Sequence, residues 1–179
     1  MKTPIDSASA GAGATVALLN GGADFAMLDL WKVTLNGGAV VRWHGGPMTS
    51  PTGFAAAGGQ SAAADGAYVA GPVIDRGKIS TKLGLEVATL DMKVGATSSD
   101  LINGTPLIPF ATGRGFDGAA VVLYRAFLAD WSSPITGLVI AFSGRVTEIK
   151  DMSRAGFTMT VSAWTVLLNV NMGADVFQA

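Results

Sequence analysis

The sequence predicts a mainly-β chain, built as an antiparallel β-barrel or β-sandwich hub or as two small β-subdomains, with a short helix near the N-terminus. Three observations lead there. Several windows alternate apolar and polar residues with a period of two, Gly, Pro, Asn, Asp and Ser cluster between them, and helical periodicity is weak nearly everywhere. Residues 1–13 are small and polar and read as an arm. Ala14 to Leu19 can form one short helix, with Gly21 or Gly22 as its stop. In "LWKVTL" Trp31, Val33 and Leu35 share one face and Lys32 and Thr34 the other. "AVVRW" follows after Asn36-Gly37, a pair that tolerates the positive φ of a tight hairpin turn. Residues 44–67 are rich in Gly, Ala, Pro and Ser and read as a long loop with a strand fragment around Phe54, of a length usually functional or ordered by a partner.

Alternation resumes from Leu85 to Val94, where Glu86, Ala88, Leu90, Met92 and Val94 share a face. "TSSD" and "LINGTPLIPF" read as a connection, with one helical turn capped by Ser98 or Ser99. The Asn103-Gly104-Thr105 sequon is a chance match outside a eukaryotic secretory route. The last third is the most regular: "AAVVLYRAF", "LVIAFSGRVTEIK" and "GFTMTVSAW" are three strands joined by "WSSP" and "DMSRAG", an antiparallel meander with Gly144 as a bulge or close-approach point. The expected division is 1–27 for the arm and helix, 28–112 for a first β-subdomain carrying the Gly/Ala loop, and 113–179 for a second.

Composition removes several function classes. The 12 Lys and Arg are scattered and balanced by 13 Asp and Glu, so there is no basic stripe for nucleic acid. With no cysteine, the chain has no disulfides, thiolate metal sites or cysteine nucleophile. Charged residues are only 14% of the chain, against roughly 25% in ordinary soluble domains. Yet no segment is long and apolar enough to span a membrane as a helix: Gly118 to Trp131 is broken by Arg125 and Asp130. Low charge without a span suggests surface covered by neighbours; a monomer with a small-residue surface is the alternative.

Gly113, Gly115 and Gly118 spell G-x-G-x-x-G, the pattern of a dinucleotide-binding turn. That chemistry needs a helix N-terminus after the glycines and an acidic residue about 20 positions on. Here a strand-like run follows, Asp130 comes too early and Glu148 too late. Gly113 and Gly115 therefore read as turn backbone, Phe116 as its apolar anchor and Asp117-Gly118 as its close, with Arg125 facing solvent or a partner. His44 is the only histidine, and without G-x-S-x-G or a ligand cluster it reads as a loop residue. Asp65, Asp75, Glu86, Asp91, Asp117, Asp130 and Glu148 could in principle pair to cleave a glycosidic bond, and Trp31, Trp43, Trp131 and Trp164 could stack on sugars; core and interface roles are the commoner use of such tryptophans. No catalytic, cofactor or metal site is assigned.

Several stretches together resemble a known family. "DLWKVTLNGGAVVRW", "GPVIDRGKISTKLGLEVATLDMKV", "NGTPL" followed by "GRGFDGAAVVLYRAFLADW", "FSGRVTEI" and "LLNVNMGADVFQ" resemble, in order and spacing, the tail-tip (baseplate) hub proteins of long-tailed phages and gene transfer agents, from about residue 24 to the end. The resemblance implies a non-enzymatic structural protein of the virion tail tip, made in the bacterial cytoplasm. It also implies a homotrimeric ring joining the distal tail protein to the central tip or fibre protein, near the tape-measure C-terminus and a cell-wall peptidase. Two departures stand out: members read Met-Pro where this chain has Met172-Gly173, and they continue into a cysteine-bearing domain that in related hubs binds an iron–sulfur cluster, a cofactor not carried over here. The alternative function is a carbohydrate-binding or glycan-cleaving β-domain that recognises the host surface.

Overall fold

The computed structural model describes residues 5–6, 13–22, 24–47, 68–79 and 88–164. The strand fragment expected at Phe54, the start of the Leu85 window, and Met172-Gly173 lie outside them. The chain runs β1 (Ile5–Asp6), α1 (Ala14–Asn20), β2 (Ala26–Thr34), β3 (Val40–His44), β4 (Val69–Ala70), β5 (Val73–Arg76), β6 (Thr89–Gly95), β7 (Leu101–Ile102), β8 (Thr105–Pro106), α2 (Leu107–Thr112), β9 (Ala120–Leu128), β10 (Gly137–Lys150) and β11 (Gly156–Ala163). The mainly-β class, the short helix ending at Gly21 and the three-strand meander are all present.

A closed barrel is not. One sheet runs β4-β3-β2-β9-β10-β11-β6-β5, with β1 pairing the start of β10 and β7-β8 forming a separate hairpin. Within it β9, β10 and β11, from after residue 113, form a central block flanked by β2, β3 and β4 on one side and β5 and β6 on the other. All pairs on the path are antiparallel except β3-β4. The two edge strands, β4 and β5, are separated in the chain only by Gly71 and Pro72. At about 4.8 Å between neighbours, eight strands laid flat would hold their edges roughly 34 Å apart, whereas the linker reaches at most about 11 Å. The sheet must roll until its edges meet. Covalent chain, not a hydrogen-bonded ladder, closes the seam among the described residues. Gly71 passes so close over Trp43 that a Cβ there would lie 2.4 Å from the indole.

Rolling produces two cores on opposite faces of the same strands. β2 buries Ala26, Leu28 and Leu30 on one face, then Trp31 and Val33 on the other. β9, its register partner, does the same with Leu128, Ala126 and Tyr124, then Leu123 and Val121. β10 would fall out of phase, because Leu138 faces the first core and Phe142 and Val146 the second, all at even positions. A bulge between Ile140 and Phe142 inserts one residue against β9 and restores the phase. β6 and β11 complete the larger core with Leu90, Met92, Val94, Phe157, Met159 and Val161.

Two turns differ from expectation in an instructive way. At Asn36-Gly37 the hairpin forms, but the positive φ falls on Gly38 (84°). Gly38 N–H donates to Leu35 O and Leu35 N–H to Ala39 O, a type I turn followed by a left-handed glycine. The turn with positive φ at both central residues is Asn103-Gly104 (50° and 79°), the would-be sequon, which closes the β7-β8 hairpin. Residues 107–112, read as connection, are α2; Pro106 stands just before its first residue, where the missing N–H costs nothing. Part of the arm, Ile5–Asp6, pairs with Leu138 and Gly137 where β11 has run out.

Gly144 is the predicted close-approach point: a Cβ there would sit 2.2 Å from the Ser162 carbonyl oxygen across the β10-β11 ladder. Gly144→Ala should therefore push the strands apart and cost about 1–3 kcal/mol of unfolding free energy, measured by urea denaturation.

Candidate assembly surface

Most of the residues singled out from the sequence meet at one end of the rolled sheet. α2 stops at Gly113, whose N–H donates to Pro109 O, and the chain then turns tightly through residues 113–118 before β9 begins. Arg114 (φ 65°) and Gly118 (φ 66°) take the left-handed conformation. Gly115 leaves room for the Phe110 ring, which a Cβ would meet at 2.3 Å. Phe116 is fully buried, with ring centroids of Phe110, Phe157 and Trp43 at 5.1, 5.8 and 6.5 Å. Asn36 Nδ2 donates to Asp117 O at 2.8 Å, tying the β2-β3 hairpin to this turn, and Arg145 Nε donates to Gly118 O at 2.7 Å. Gly37 shares the hairpin turn; Gly144 lies apart, inside β10. The helix precedes the glycines and a strand follows them, so the helix N-terminus that a dinucleotide turn presents to the pyrophosphate does not follow this turn. Here Phe116 acts as a plug that seals one end of the larger core.

Of the sugar-stacking candidates, Trp31 and Trp131 share the lining of one groove, and Trp43 and Trp164 do not line it. Trp31 and Trp43 are core residues, while Trp131 and Trp164 are exposed, the latter donating from its indole to Ser143 Oγ at 2.9 Å. Asp91 accepts from Thr160 and lies 3.6 Å from Lys150 Nζ, Asp117 lies 3.4 Å from Arg114, and Asp130 accepts from Ser132 and Ser133. Asp91, Asp117 and Asp130 are each held by their own neighbours, while Asp117 and Glu148 line one groove together with Arg114 and Thr147. Asp65 and Glu86 lie outside the described residues. His44 is buried at the end of β3, opposite Leu30, rather than in a loop. No cluster of three metal-ligating side chains occurs among the described residues, and no helix among them is long and apolar enough to cross a membrane.

A groove of about 500 Å³ lies at Trp31, Asp29, Ile74, Arg76, Arg125 and Trp131. Asp29 on β2 and Arg125 on β9 are register partners, with Arg125 Nε to Asp29 Oδ1 at 3.0 Å. Arg76 reaches the same carboxylate from edge strand β5, Nε to Oδ2 at 2.5 Å. The three side chains are 24–29% exposed. Sequence reasoning missed this group because only the rolling of the sheet brings β5 over β2. A facing-strand pattern could have suggested Asp29 with Arg125; nothing local suggests Arg76.

Two outcomes follow from these charges. Asp29→Ala leaves two guanidiniums facing each other and should cost about 1–3 kcal/mol, whereas Arg76→Gln, which keeps the Asp29–Arg125 pair, should cost about 1 kcal/mol or less; parallel denaturation curves give both. The Ser132 hydroxyl, then the Ser133 hydroxyl and the Ser132 amide, hold the exposed Asp130 carboxyl below the usual aspartate range. Its folded pKa is depressed, so the bonds are present at neutral pH and lost as pH falls through that value. The Ser132 amide resonance should titrate with a midpoint below that of an unstructured aspartate peptide.

Residues 13–179 match the protein family described as "Baseplate hub protein, N-terminal attachment domain". No curated protein sequence matches the chain. A solved structure titled "Virion of native gene transfer agent (GTA) particle" contains a chain of similar fold, with TM-score 0.60 and 20% identity; the match covers 88% of this chain and 47% of the other, so this chain spans about half the length of that relative. With the family match running over all but the first twelve residues, the chain belongs to the baseplate hub proteins, as their N-terminal attachment domain.

Proposed function

We propose that this domain works as a scaffold within a phage-type tail tip, forming a ring with copies of itself and joining the distal tail protein to the central tip or fibre protein. The observation that carries this reading is the match of residues 13–179 to the hub attachment family. The fold likeness to a chain of a gene transfer agent virion supports the same architecture.

The surface suits such work. Exposed apolar side chains are spread around the molecule, among them Val16 on α1, Met27 on β2, Val73 on β5, Leu101 on β7 and Trp131. A component held by several neighbours needs several modest contact patches rather than one deep pocket, and heterologous contacts close into a ring when the rotation between copies permits. The domain carries out no chemistry of its own in this reading. A tape-measure C-terminus and a cell-wall peptidase are further neighbours. An iron–sulfur cluster of the kind found in related hubs would need thiolates from elsewhere, because this chain has no cysteine.

The test has two parts. Mass photometry of the purified chain should show trimers or a larger closed ring rather than a single monomer peak, and a reconstruction of intact particles should place density of this fold at the tail tip. A chain that stays monomeric and is missing from tail tips would overturn the proposal. Titration with cell-wall fragments should leave the tryptophan emission unchanged; a saturable shift would favour host-surface glycan recognition instead.

A further inference from the structure

The groove over Asp29 holds more positive charge than its carboxylate neutralises. Among the described residues Asp29 faces two guanidiniums, leaving a net charge of one in a cleft whose charged side chains are less than one third exposed. Asp29 Oδ1 accepts from Arg125 Nε, and Oδ2 from Arg76 Nε and Arg125 Nη2. Each guanidinium has five N–H donors in a fixed fork. Among the described residues Arg76 engages Asp29 through Nε alone, so its two terminal amino groups are open to a second acceptor.

The surroundings are apolar. Trp31 and Ile74, from the larger core and its margin, line the groove, and Met27 (51% exposed) and Trp131 (47% exposed) stand on its rim. The Trp131 ring is kept there because residue 46 is glycine, whose Cβ position would lie 3.3 Å from it and 2.2 Å from Leu28 Cδ1. A cationic centre between apolar shoulders complements an acidic side chain flanked by aliphatic ones. A volume of about 500 Å³ accommodates such a short segment. Free inorganic anions would satisfy the arginines and leave Met27 and Trp131 uncovered.

We propose that this groove docks an extended acidic-apolar segment of a neighbouring protein, its carboxylate bound by Arg76 and Arg125 and its aliphatic side chains lying against Met27 and Trp131. The proposal rests on the tail-tip reading, since it takes the neighbour from that assembly.

The test uses the full chain and calorimetry with a blocked heptapeptide, Gly-Ser-Leu-Glu-Leu-Ser-Gly, its Gln counterpart and free glutarate. The Glu peptide should bind saturably, the Gln peptide about tenfold or more weakly, and binding should weaken as salt rises. Arg76→Gln should lose a similar factor while melting close to wild type. Trp131→Ala, at an exposed ring, gives an independent reading should Arg76→Gln unfold. Equal affinity for both peptides, no peptide binding, or glutarate binding as tightly as the Glu peptide would overturn the proposal, the last by showing a small-anion site. In particles, Arg76→Gln or Trp131→Ala hub should be depleted from tail tips. Variants incorporated at wild-type levels would overturn the groove's role and leave the tail-tip reading standing; absence of the wild-type hub from tips would overturn that reading itself.

Discussion

Two residues, Gly71 and Pro72, join the opposite edges of an eight-strand path, and the rest of the structure follows from that short bridge. Because the linker cannot span a flat sheet, the sheet rolls. Rolling creates an inside large enough for Trp31, Trp43, Phe142 and Phe157, and leaves ends that need closing. One end is sealed by α2 and the Phe116 turn. The other keeps the Asp29 groove, where Arg76 crosses from the far edge of the sheet. Glycine at 71 is required by the Trp43 ring beneath it, and proline fixes the backbone at the step where the chain changes edges. A ring interaction and a backbone restriction thus determine a contact between β5 and β2 that lies five strands away along the path.

The phase change within β2, β9 and β10 shows how two cores can share one set of strands. A strand normally offers one face to the interior. Here the adjacent residues Leu30 and Trp31 are both buried because they belong to different cores, and their partners Tyr124 and Leu123 repeat the arrangement. β10 cannot follow by alternation alone, and its bulge at Ala141 supplies the missing half-step. The cost is a local break in the ladder; the gain is that Leu138 and Phe142 each reach the core they serve.

Much of this architecture was legible in the sequence where a single rule decided the outcome. The meander was plain because Phe157, Met159 and Val161 alternate with polar neighbours, and the turns between its strands carry Asp, Ser, Pro and Gly. The short helix was legible from the glycines that stop it at Gly21. The β2-β3 hairpin was visible, but its turn type was not: a third residue, Gly38, took the left-handed position, and the two-residue turn appeared at Asn103-Gly104. α2 was missed because "LIPFAT" is six residues, too short for periodicity to register. The Phe116 turn was recognised as turn backbone from its glycines, whereas its hydrogen bonds from Asn36 and Arg145 depend on residues 81 and 27 positions away in the chain. Asp29, Arg76 and Arg125 were invisible as a group, since no local pattern encodes which edge of a sheet returns to which strand.

β10 runs fourteen residues, pairing with β9 over its first half and with β11 over its second, with Gly144 and Arg145 bonded on both sides. Such a strand behaves differently under load depending on direction. A pull along its axis strains its lateral ladder bonds together, in shear, and they share the force. A pull that opens the sheet at the β4 or β5 edge meets a pair spanning only two or four residues, which can peel one bond at a time. The domain is therefore mechanically anisotropic, stiff along β10 and compliant at the short ladders of its edge strands, and an assembly built from it would carry tension best with β10 aligned to the direction of pull.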